Sequence, residues 1–271
     1  MTKKLNFYQE SFDSNLIEEE FSFYLKEKLH FSDKDIFIHN DRLLTKVEEN
    51  LIEDFFKQKN EGIPLDYILN STKFYDSDFY VDSRVLIPRP ETELLVDYVI
   101  KNFKDTMKVL DAGTGSGCIG ISIALKKPNF KVYGSDFSKN ALDVALINKS
   151  KLNVGNFFLV NANWLSCFKN ESFDLILSNP PYIAENDLHL DNLIHEPKIA
   201  LTSSDAGLSD IKEIIQESSK ILKRRGVLII EHGYNQEDQV KNLLKDNYFL
   251  DIFNIKDYQG LPRITYGILD K

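Results

Sequence analysis

The chain has 271 residues, of which 42% are hydrophobic and 28% are charged, and its formal net charge is −9. This is the composition of an ordinary globular protein, and it excludes collagen-like, disordered and disulfide-scaffold chains. The length accommodates one large domain, alone or with a smaller one. No apolar run approaches the roughly 18 residues of a membrane span, and the first residues lack the apolar core of a signal peptide. We therefore predict a cytoplasmic protein with no membrane contact.

The cysteines and the charge distribution indicate which kinds of ligand and partner the protein is not expected to bind. Cys118 and Cys167 belong to no CxxC or His/Cys cluster, so the sequence predicts neither a disulfide framework nor a metal site. Residues 1–70 carry a net charge of −6, and residues 71–271 carry −3. Proteins that bind duplex nucleic acid normally have a basic surface, because neutralising phosphates supplies much of the affinity. We therefore expect no stable nucleic acid binding.

The first part of the chain, residues 1–68, is predicted to be a small helical domain. Its apolar residues recur with helical spacing in two groups, which are Ile17, Phe21, Tyr24, Leu25 and Leu29, and then Leu44, Val47, Leu51 and Phe55. Residues 69–90 change to aromatic and β-branched runs, which are typical of a β-hairpin linker. These runs lie at 73–75, 79–81 and 84–87. Pro90, followed by Glu91 and Glu93, is predicted to start a helix.

Residues 91–271 alternate between strand and helix patterns. Strands are predicted at 109–111, 132–135, 157–160, 173–177 and 226–230, and helices at 119–125, 138–145 and 211–222. This alternation predicts an α/β domain whose mostly parallel sheet has helices on both faces. Residues 249–253 and 263–269 are expected to add an antiparallel edge pair. Ligands of such sheets bind beyond the carboxyl ends of the strands.

A glycine-rich loop, Asp111-Ala112-Gly113-Thr114-Gly115-Ser116-Gly117, follows the first of these strands. Its glycines allow a tight turn and the close approach of a ligand. Asp136 ends the next strand about 20 residues further on, where a carboxylate can accept both hydroxyls of a ribose. Asp111 would repel a pyrophosphate, so its position favours the cationic amino-acid end of S-adenosylmethionine. The alternative is a glycine turn with only a structural role.

A second motif, Ser178-Asn179-Pro180-Pro181-Tyr182, follows the apolar strand at 173–177. The two prolines fix the backbone, so the Pro180 carbonyl can point at a ligand, and Asn179 supplies a side-chain carbonyl. Two adjacent acceptors can hold a planar NH2 group by both hydrogens and direct its nitrogen at a methyl donor, while Tyr182 packs on the plane. The simpler alternative is a Pro-Pro turn that caps a strand.

Together the two motifs resemble those of S-adenosylmethionine-dependent methyltransferases that act on amino nitrogens, including DNA adenine methylases and protein glutamine methylases. From about residue 60 to the end, the chain is similar to the release-factor glutamine methyltransferases, the HemK/PrmC family. The stretches that carry this similarity are residues 63–69, 74–75 and 85–93, Glu196-Pro197 with Ala200-Leu201, residues 231–236, and Asp257, Gly260 and Arg263. The most specific of them contains Pro88-Arg89-Pro90.

The resemblance implies a Rossmann-like class I methyltransferase fold. It implies methyl transfer from S-adenosylmethionine to the side-chain amide of the glutamine in the Gly-Gly-Gln motif of class 1 peptide chain release factors. This reaction would support translation termination and leave S-adenosylhomocysteine as the second product. The candidate cofactor residues are Asp111, Gly113, Thr114, Gly115, Ser116, Gly117, Asp136, Trp164 on the adenine side, and Asn179. The candidate catalytic residues are Asn179, Pro180, Pro181 and Tyr182.

Two positions depart from the family pattern. Asn163 stands where the family usually has an acidic residue, which alters an expected hydrogen bond to the adenine amine, and Ala206 stands where it often has aspartate. Before residue 60 the chain matches the family only in size and helicity. Residues 1–68 are therefore expected to be a variable domain that docks the release factor, followed by the linker at 69–90 and the methyltransferase domain at 91–271.

Three questions stay open at this point. A DNA or RNA amino methyltransferase would share the Asn-Pro-Pro-Tyr motif, although it normally carries a target-recognition segment and a basic face. A non-catalytic cofactor-binding module is a second alternative. Arg89 could contact the release factor or the carboxylate of the cofactor, or it could form an ion pair with Glu91 or Glu93.

Overall fold

The structure is a computed structural model that describes residues 3–9 and 15–270. The chain forms two compact units, Met1–Ser71 and Thr72–Lys271. The predicted helical segment falls in the first unit, and the predicted hairpin falls in the second. The separate roles that we attach to these segments stay predictions. Within the described residues, no helix is long and apolar enough to cross a membrane.

The first unit is helical, as the spacing predicts. Its helices are α1 (Leu5–Gln9), α2 (Asn15–Leu29), α3 (Asp33–Phe37), α4 (Lys46–Asn60) and α5 (Leu65–Leu69). Ser32 and Thr45 form capping boxes that bind free backbone N–H groups at the starts of α3 and α4. The local sequence therefore sets where these two helices begin.

The core of the first unit confirms most of the predicted apolar face. Phe21, Tyr24 and Leu25 of α2 are buried against Phe55 of α4. The prediction for Val47 is wrong, since its side chain is 68% exposed. The buried face of α4 is formed by Glu49, Ile52 and Phe55, and at about 100° per residue Val47 lies about 140° around the helix from Ile52.

The second unit begins with the hairpin. Strands β1 (Thr72–Phe74) and β2 (Ser77–Phe79) pair antiparallel. The run at 84–87 is not a strand, which corrects the prediction. Its backbone turns, because the Val85 N–H bonds the Asp82 carbonyl and the Ile87 N–H is taken by the Glu196 side chain. A 3-10 turn (Pro90–Thr92) then leads into α6 (Glu93–Asn102).

The remainder of the second unit alternates strands and helices. The strands are β3 (Lys108–Ala112), β4 (Lys131–Asp136), β5 (Phe157–Asn161), β6 (Phe173–Ser178), β7 (Ile183–Ala184), β8 (Thr202–Ser203), β9 (Leu222–Glu231), β10 (Phe249–Lys256) and β11 (Pro262–Leu269). The helices are α7 (Cys118–Lys126), α8 (Lys139–Lys151), α9 (Ser204–Gly207), α10 (Ser209–Ile221) and α11 (Glu237–Asp246). Strands β7 and β8 and helices α9 and α11 were not predicted from the sequence.

Seven strands form one sheet in the order β10-β11-β9-β6-β3-β4-β5. The five strands from β9 to β5 in this order are parallel, and β11 pairs antiparallel with both β9 and β10. The mostly parallel sheet and its antiparallel edge pair are therefore confirmed. The short strands β7 and β8 form a separate pair.

Alternate residues of the central strands enter two different hydrophobic cores. Val109 and Leu175 pack into one cluster, with α6 and α7, while Leu110 and Ile176 pack into the other, with α10 and α11. Successive side chains of a strand point to opposite faces, so continuous apolar runs bury both sides of the sheet. Polar side chains collect instead where the strands end.

Candidate active site

A cavity of about 320 Å³ opens at the carboxyl ends of β3, β4 and β6. The predicted site residues that line it are Gly113, Thr114, Gly115, Ser116, Asp136, Trp164, Asn179 and Pro181. Four other predicted residues do not line it, namely Asp111, Gly117, Pro180 and Tyr182. The structure thus brings the two motifs to one cavity, with part of each motif set back from its wall.

The glycine loop forms one wall. The N–H groups of Gly113 and Thr114 both donate to the Ser135 carbonyl at 2.9 Å, which ties the loop to β4. Gly113 has φ +74°, and a Cβ there would lie 2.8 Å from the Trp164 ring. A Cβ at Gly115 would meet no atom within 4 Å. Close packing therefore requires Gly113, whereas Gly115 leaves a space that a ligand can use.

Asp111 supports this loop from within the protein. Its carboxylate is fully buried, and Oδ2 accepts hydrogen bonds from the Thr114 hydroxyl at 2.6 Å and the Gly120 N–H at 3.0 Å. Burial raises its pKa to about 6. Oδ1 is buried with no hydrogen-bond partner in the part of the chain that the structure describes. A contact between Asp111 and a bound ammonium stays a prediction.

Asp136 lines the cavity directly. Its Oδ2 accepts from the Gly115 N–H and its Oδ1 accepts from the Ser138 N–H, both at 2.9 Å. These bonds fix the orientation of the carboxylate. Each carboxylate oxygen can accept a second hydrogen bond, so Asp136 can still bind a pair of hydroxyls. Burial raises its pKa, and the two backbone N–H groups partly offset that effect.

Trp164 and Asn163 form another part of the cavity wall. The Trp164 carbonyl accepts from the Ser135 hydroxyl at 3.1 Å, and its ring packs over Gly113. The Asn163 side chain donates to Glu213 at 3.3 Å. An acidic side chain at position 163 would repel Glu213, so asparagine suits these surroundings.

The Asn-Pro-Pro-Tyr segment supplies acceptors. The Asn179 Nδ2 donates to the Thr92 hydroxyl oxygen at 3.0 Å, so the carbonyl end of the amide is left for the cavity that Asn179 lines. Within residues 3–9 and 15–270, no hydrogen bond is donated to Asn179 Oδ1 or to the Pro180 carbonyl. Two residues adjacent in the chain therefore carry carbonyl oxygens that accept no hydrogen bond from the described residues, and Asn179 is the one of the two that lines the cavity.

Tyr182 is held away from the cavity wall. Its ring packs against the core between the sheet and α10, and its hydroxyl donates to Glu231 at 3.3 Å. Its carbonyl accepts from the Gln236 side chain at 3.1 Å. Burial raises the pKa of its hydroxyl, which stays protonated. Stacking of Tyr182 on a substrate plane stays a prediction.

Two residues lie beside the Asn179–Tyr182 segment, which we call the clamp, and were not predicted as site residues from the sequence. Thr92 lines the cavity and binds Asn179. Glu231 ends β9, is fully buried, and has a pKa that burial raises to about 7. A signal for Glu231 was present, because it follows an apolar strand in the same way as Asp111 and Asp136. Thr92 has no comparable signal, since it lies in a short turn.

Comparison with known proteins shows to which family the chain belongs. A family model described as a methyltransferase domain matches residues 103–260. The release factor glutamine methyltransferase of Coxiella burnetii is 34% identical over 85% of this chain and 84% of that protein. The protein of the same name from Buchnera aphidicola subsp. Schizaphis graminum is 38% identical over 86% of this chain and 85% of its own length. The chain belongs to the release factor glutamine methyltransferase family.

The fold of this family member also matches that of a methyltransferase whose structure is solved. A methyltransferase from Pyrococcus furiosus superposes with a TM-score of 0.56 over 82% of this chain and 99% of that chain, at 15% identity. The shared architecture is the Rossmann-like methyltransferase sheet. The chain is therefore a methyltransferase in both sequence family and fold.

Arg89 forms an ion pair with Glu196 and, among the described residues, with neither Glu91 nor Glu93, which the sequence left open as partners. A contact of Arg89 with the release factor or with the carboxylate of the cofactor stays an open alternative. The Glu196 side chain is 3% exposed and also accepts from the Ile87 N–H at 3.0 Å. Glu93 instead accepts from the Tyr75 N–H. The segment before α6 is thus fastened to the loop that follows the clamp.

Proposed function

We propose that this methyltransferase acts on the side-chain amide nitrogen of the glutamine in the Gly-Gly-Gln motif of class 1 peptide chain release factors, with S-adenosylmethionine as methyl donor. The observation that carries the proposal is the orientation of Asn179. Its amide nitrogen is occupied by Thr92, so its carbonyl is available to a ligand in the cavity that Asn179 lines. The names of relatives that match most of the chain support the same substrate.

The residues of the cavity fit S-adenosylmethionine. Asp136 offers free acceptor positions for the two ribose hydroxyls, and the open space at Gly115 admits the close approach of a ligand to the loop. Trp164 offers an apolar wall for the adenine. When bound, the cofactor supplies a methyl group on a positively charged sulfur, which is a strong electrophile. The acidic surroundings formed by Asp111 and Asp136 favour such a cation.

The chain's own residues must make an amide nitrogen reactive. That nitrogen is a poor nucleophile, because its lone pair is delocalised into the carbonyl. Asn179 and Pro180 accept its two hydrogens and hold the nitrogen in line with the methyl group. Their hydrogen bonds strengthen as positive charge develops on nitrogen in the transition state. A strong general base is unnecessary, because the methylated nitrogen becomes acidic enough to lose its proton late.

Asn179→Ala tests this function. In single-turnover methylation of a purified release factor at saturating cofactor, we expect the rate to fall by about 100-fold or more, as on removal of a transition-state hydrogen bond. Calorimetry should show a much smaller change in cofactor affinity. Asn102→Ala, an exposed asparagine at the end of α6, is the matched control. A rate near that of the wild type in Asn179→Ala would show that the clamp is assigned incorrectly.

The proposal also assigns a role to the first unit, which is to dock the release factor. The intact substrate is much larger than the cavity, so it needs a second contact surface. The net charge of −6 in residues 1–70 suits a partner with a basic surface. The boundaries that we propose are residues 1–68 for docking, 69–90 for the linker and 91–271 for methyl transfer.

A further inference from the structure

Three side chains that are distant in sequence meet beside the cavity. Thr92 lies in the 3-10 turn before α6, Asn179 follows β6, and Glu231 ends β9. Thr92 is 2% exposed and Glu231 is 1% exposed. The Asn179 Nδ2 donates to the Thr92 oxygen at 3.0 Å, and the Thr92 hydroxyl lies close enough to Glu231 to lower the pKa of that carboxyl. A hydrogen bond therefore joins Asn179 to Thr92, and the buried Thr92 and Glu231 side chains lie next to each other without a hydrogen bond between them among the described residues.

The number of protons on these three groups determines which of them donates to which. A hydroxyl has one proton, and the Thr92 oxygen already accepts from Asn179. Its proton therefore needs another acceptor. Glu231 Oε1 accepts from Tyr182, while Oε2 is buried without a hydrogen-bond partner among the described residues. An unsatisfied buried carboxylate oxygen is costly, so Glu231 is the acceptor that the Thr92 proton can serve.

This direction determines which end of the Asn179 amide faces the ligand. A Thr92 hydroxyl that directs its proton at ionised Glu231 can only accept from Asn179, as it does in the structure, and this leaves the Asn179 carbonyl for the cavity. If the amide were reversed, its NH2 group would meet the NH2 group of a substrate amide, and two donors cannot bond each other. Nothing else in the described hydrogen bonds of Asn179 fixes this choice.

We propose that Thr92 and Glu231 are positioning residues for methyl transfer, which act through Asn179 by fixing its carbonyl toward the substrate amide. The inference rests on the proposed function, because it assigns Asn179 the same acceptor role. It adds two residues that do not touch the reacting atoms. It also makes the hydroxyl of Thr92, rather than the bulk of that side chain, the feature that matters.

Thr92→Val and Thr92→Ser separate the hydroxyl from the shape. In the full chain, we expect Thr92→Val to lower kcat on the release factor by about tenfold or more, with a cofactor Kd within about twofold of the wild type, since one lost orienting bond is worth about a factor of ten. Thr92→Ser should recover most of kcat. Thr265→Val is the matched control, because it removes another buried hydroxyl, bonded to His232 and away from the cavity.

The acidity of Glu231 provides a second readout. The groups that face its carboxyl are the Tyr182 and Thr92 hydroxyls, the charges of Arg263 and Glu91, and the buried thiol of Cys118. Protonated Glu231 can donate to Thr92. Thr92 can then donate to Asn179, so the direction of both hydrogen bonds is reversed. We therefore expect kcat of the wild type to fall as the pH drops through about 7, and this step to be absent from Glu231→Gln, whose amide does not titrate.

A measurement without substrate keeps the inference separate from the proposed function. The side-chain NH2 resonances of Asn179, identified by their absence from Asn179→Ala, should shift in Thr92→Val and stay in place in Thr265→Val. No shift, or a kcat in Thr92→Val equal to that of the wild type, overturns the positioning role. Equal losses in Thr92→Val and Thr92→Ser overturn it as well, as that pattern indicates packing. A wild-type enzyme that does not methylate the release factor overturns the proposed function instead.

Discussion

Asp111 and Asp136 show how one sequence signal leads to two structural roles. Both residues are acidic and lie at the ends of neighbouring strands, and the sequence assigned both to the cofactor. Asp111 is fully buried and bonds Thr114 and Gly120, so it organises the loop. Asp136 lines the cavity and keeps free acceptor positions. The difference depends on where the glycine loop folds back, which the spacing of residues does not specify.

We expect Asp136→Ala to weaken S-adenosylmethionine binding by about 1.5–3 kcal/mol, the range for hydrogen bonds to charged groups. The substitution also frees the Gly115 and Ser138 N–H groups that the carboxylate now binds. Titration calorimetry measures the change. Asp174→Ala is the control, because Asp174 also accepts a backbone N–H but lies at the other end of β6. Equal affinities in Asp136→Ala and the wild type would remove Asp136 from the site.

The buried carboxyl of Glu231 makes a prediction about stability. Its pKa is raised from 4.5 to about 7 by burial, so between these pH values the folded state holds a proton that the unfolded state has lost. The free energy of unfolding therefore falls as the pH rises from about 4.5 to about 7. Glu231→Gln removes this effect, and at pH 8 it should be more stable than the wild type by up to about 3 kcal/mol.

Urea denaturation at pH 8 and pH 5 tests the sign. The advantage of Glu231→Gln should be largest at pH 8 and much smaller at pH 5, because pH 5 is well below the pKa of the folded state and only slightly above that of the unfolded state. The same variant should show no step in kcat near pH 7, because its amide does not titrate. A variant that is less stable than the wild type at pH 8 would show that Glu231 is stabilised as an anion.

At the scale of elements, a strained turn supports the clamp. Asp205, Ala206 and Gly207 all have positive φ, at 54°, 53° and 86°. The Gln236 side chain donates to the carbonyls of both Tyr182 and Ala206. Left-handed backbone costs a non-glycine residue about 1–2 kcal/mol. This cost is offset by contacts that hold the backbone of the Asn-Pro-Pro-Tyr segment in place.

Gly207→Ala should disrupt this support. An added Cβ would lie 2.1 Å from the Tyr182 carbonyl oxygen, and the residue has φ +86°. We expect a lower Tm together with a lower kcat, because the backbone that carries Asn179 and Pro180 must shift. Gly155→Ala is the control, since a Cβ there meets no atom within 4 Å. Equal kcat values in the two variants would mean that the turn does not position the clamp.

The sequence predicted the elements whose residues are apolar on both faces of the sheet, and it failed where polar contacts decide the backbone. Strands β3, β6 and β9 were evident because both of their faces are largely buried, whereas the partly exposed β4 and β5 were evident from their β-branched and aromatic residues. Helix α11 was missed because only Val240 and Leu244 of its residues are buried. The turn at 84–87 was misread because the buried Glu196 side chain binds it from a distant loop.

Part of the candidate site could be predicted from the sequence, and part of it could not. The glycine loop and the Asn-Pro-Pro-Tyr segment each follow an apolar strand, so their meeting at one sheet edge follows from parallel pairing. The contact between Thr92 and Asn179 joins residues 87 positions apart. The contact exists because the 3-10 turn lies against the end of β6. The local sequence around either residue does not predict that placement.

At the scale of the whole molecule, both units are acidic, and the smaller one is more strongly so. A negative surface does not favour binding to nucleic acid phosphates. It does favour rapid encounter with a basic protein surface. If the first unit docks the release factor, the exposed acidic side chains of α2 are suitable contacts, because Glu18, Glu19 and Glu27 are all solvent-exposed.

Reversing these charges tests docking in the full chain. We expect the combined variant Glu18→Lys, Glu19→Lys and Glu27→Lys to raise KM for the intact release factor by about tenfold at low salt, mainly through slower association. The kcat at saturation and the cofactor Kd should stay unchanged, because the cavity lies wholly within residues 84–210. Added salt should reduce the difference, as screening weakens exposed charges separated by more than about 10 Å.

The control makes the same change in charge on the second unit, with Asp143→Lys, Glu171→Lys and Asp246→Lys, which are also exposed. If only the total charge matters, both triple variants should raise KM equally. If the first unit is the docking surface, the α2 variant should raise KM much more than the control. Equal effects would therefore refute docking by the first unit and leave long-range attraction as the cause, while no effect in either would show that association does not depend on charge.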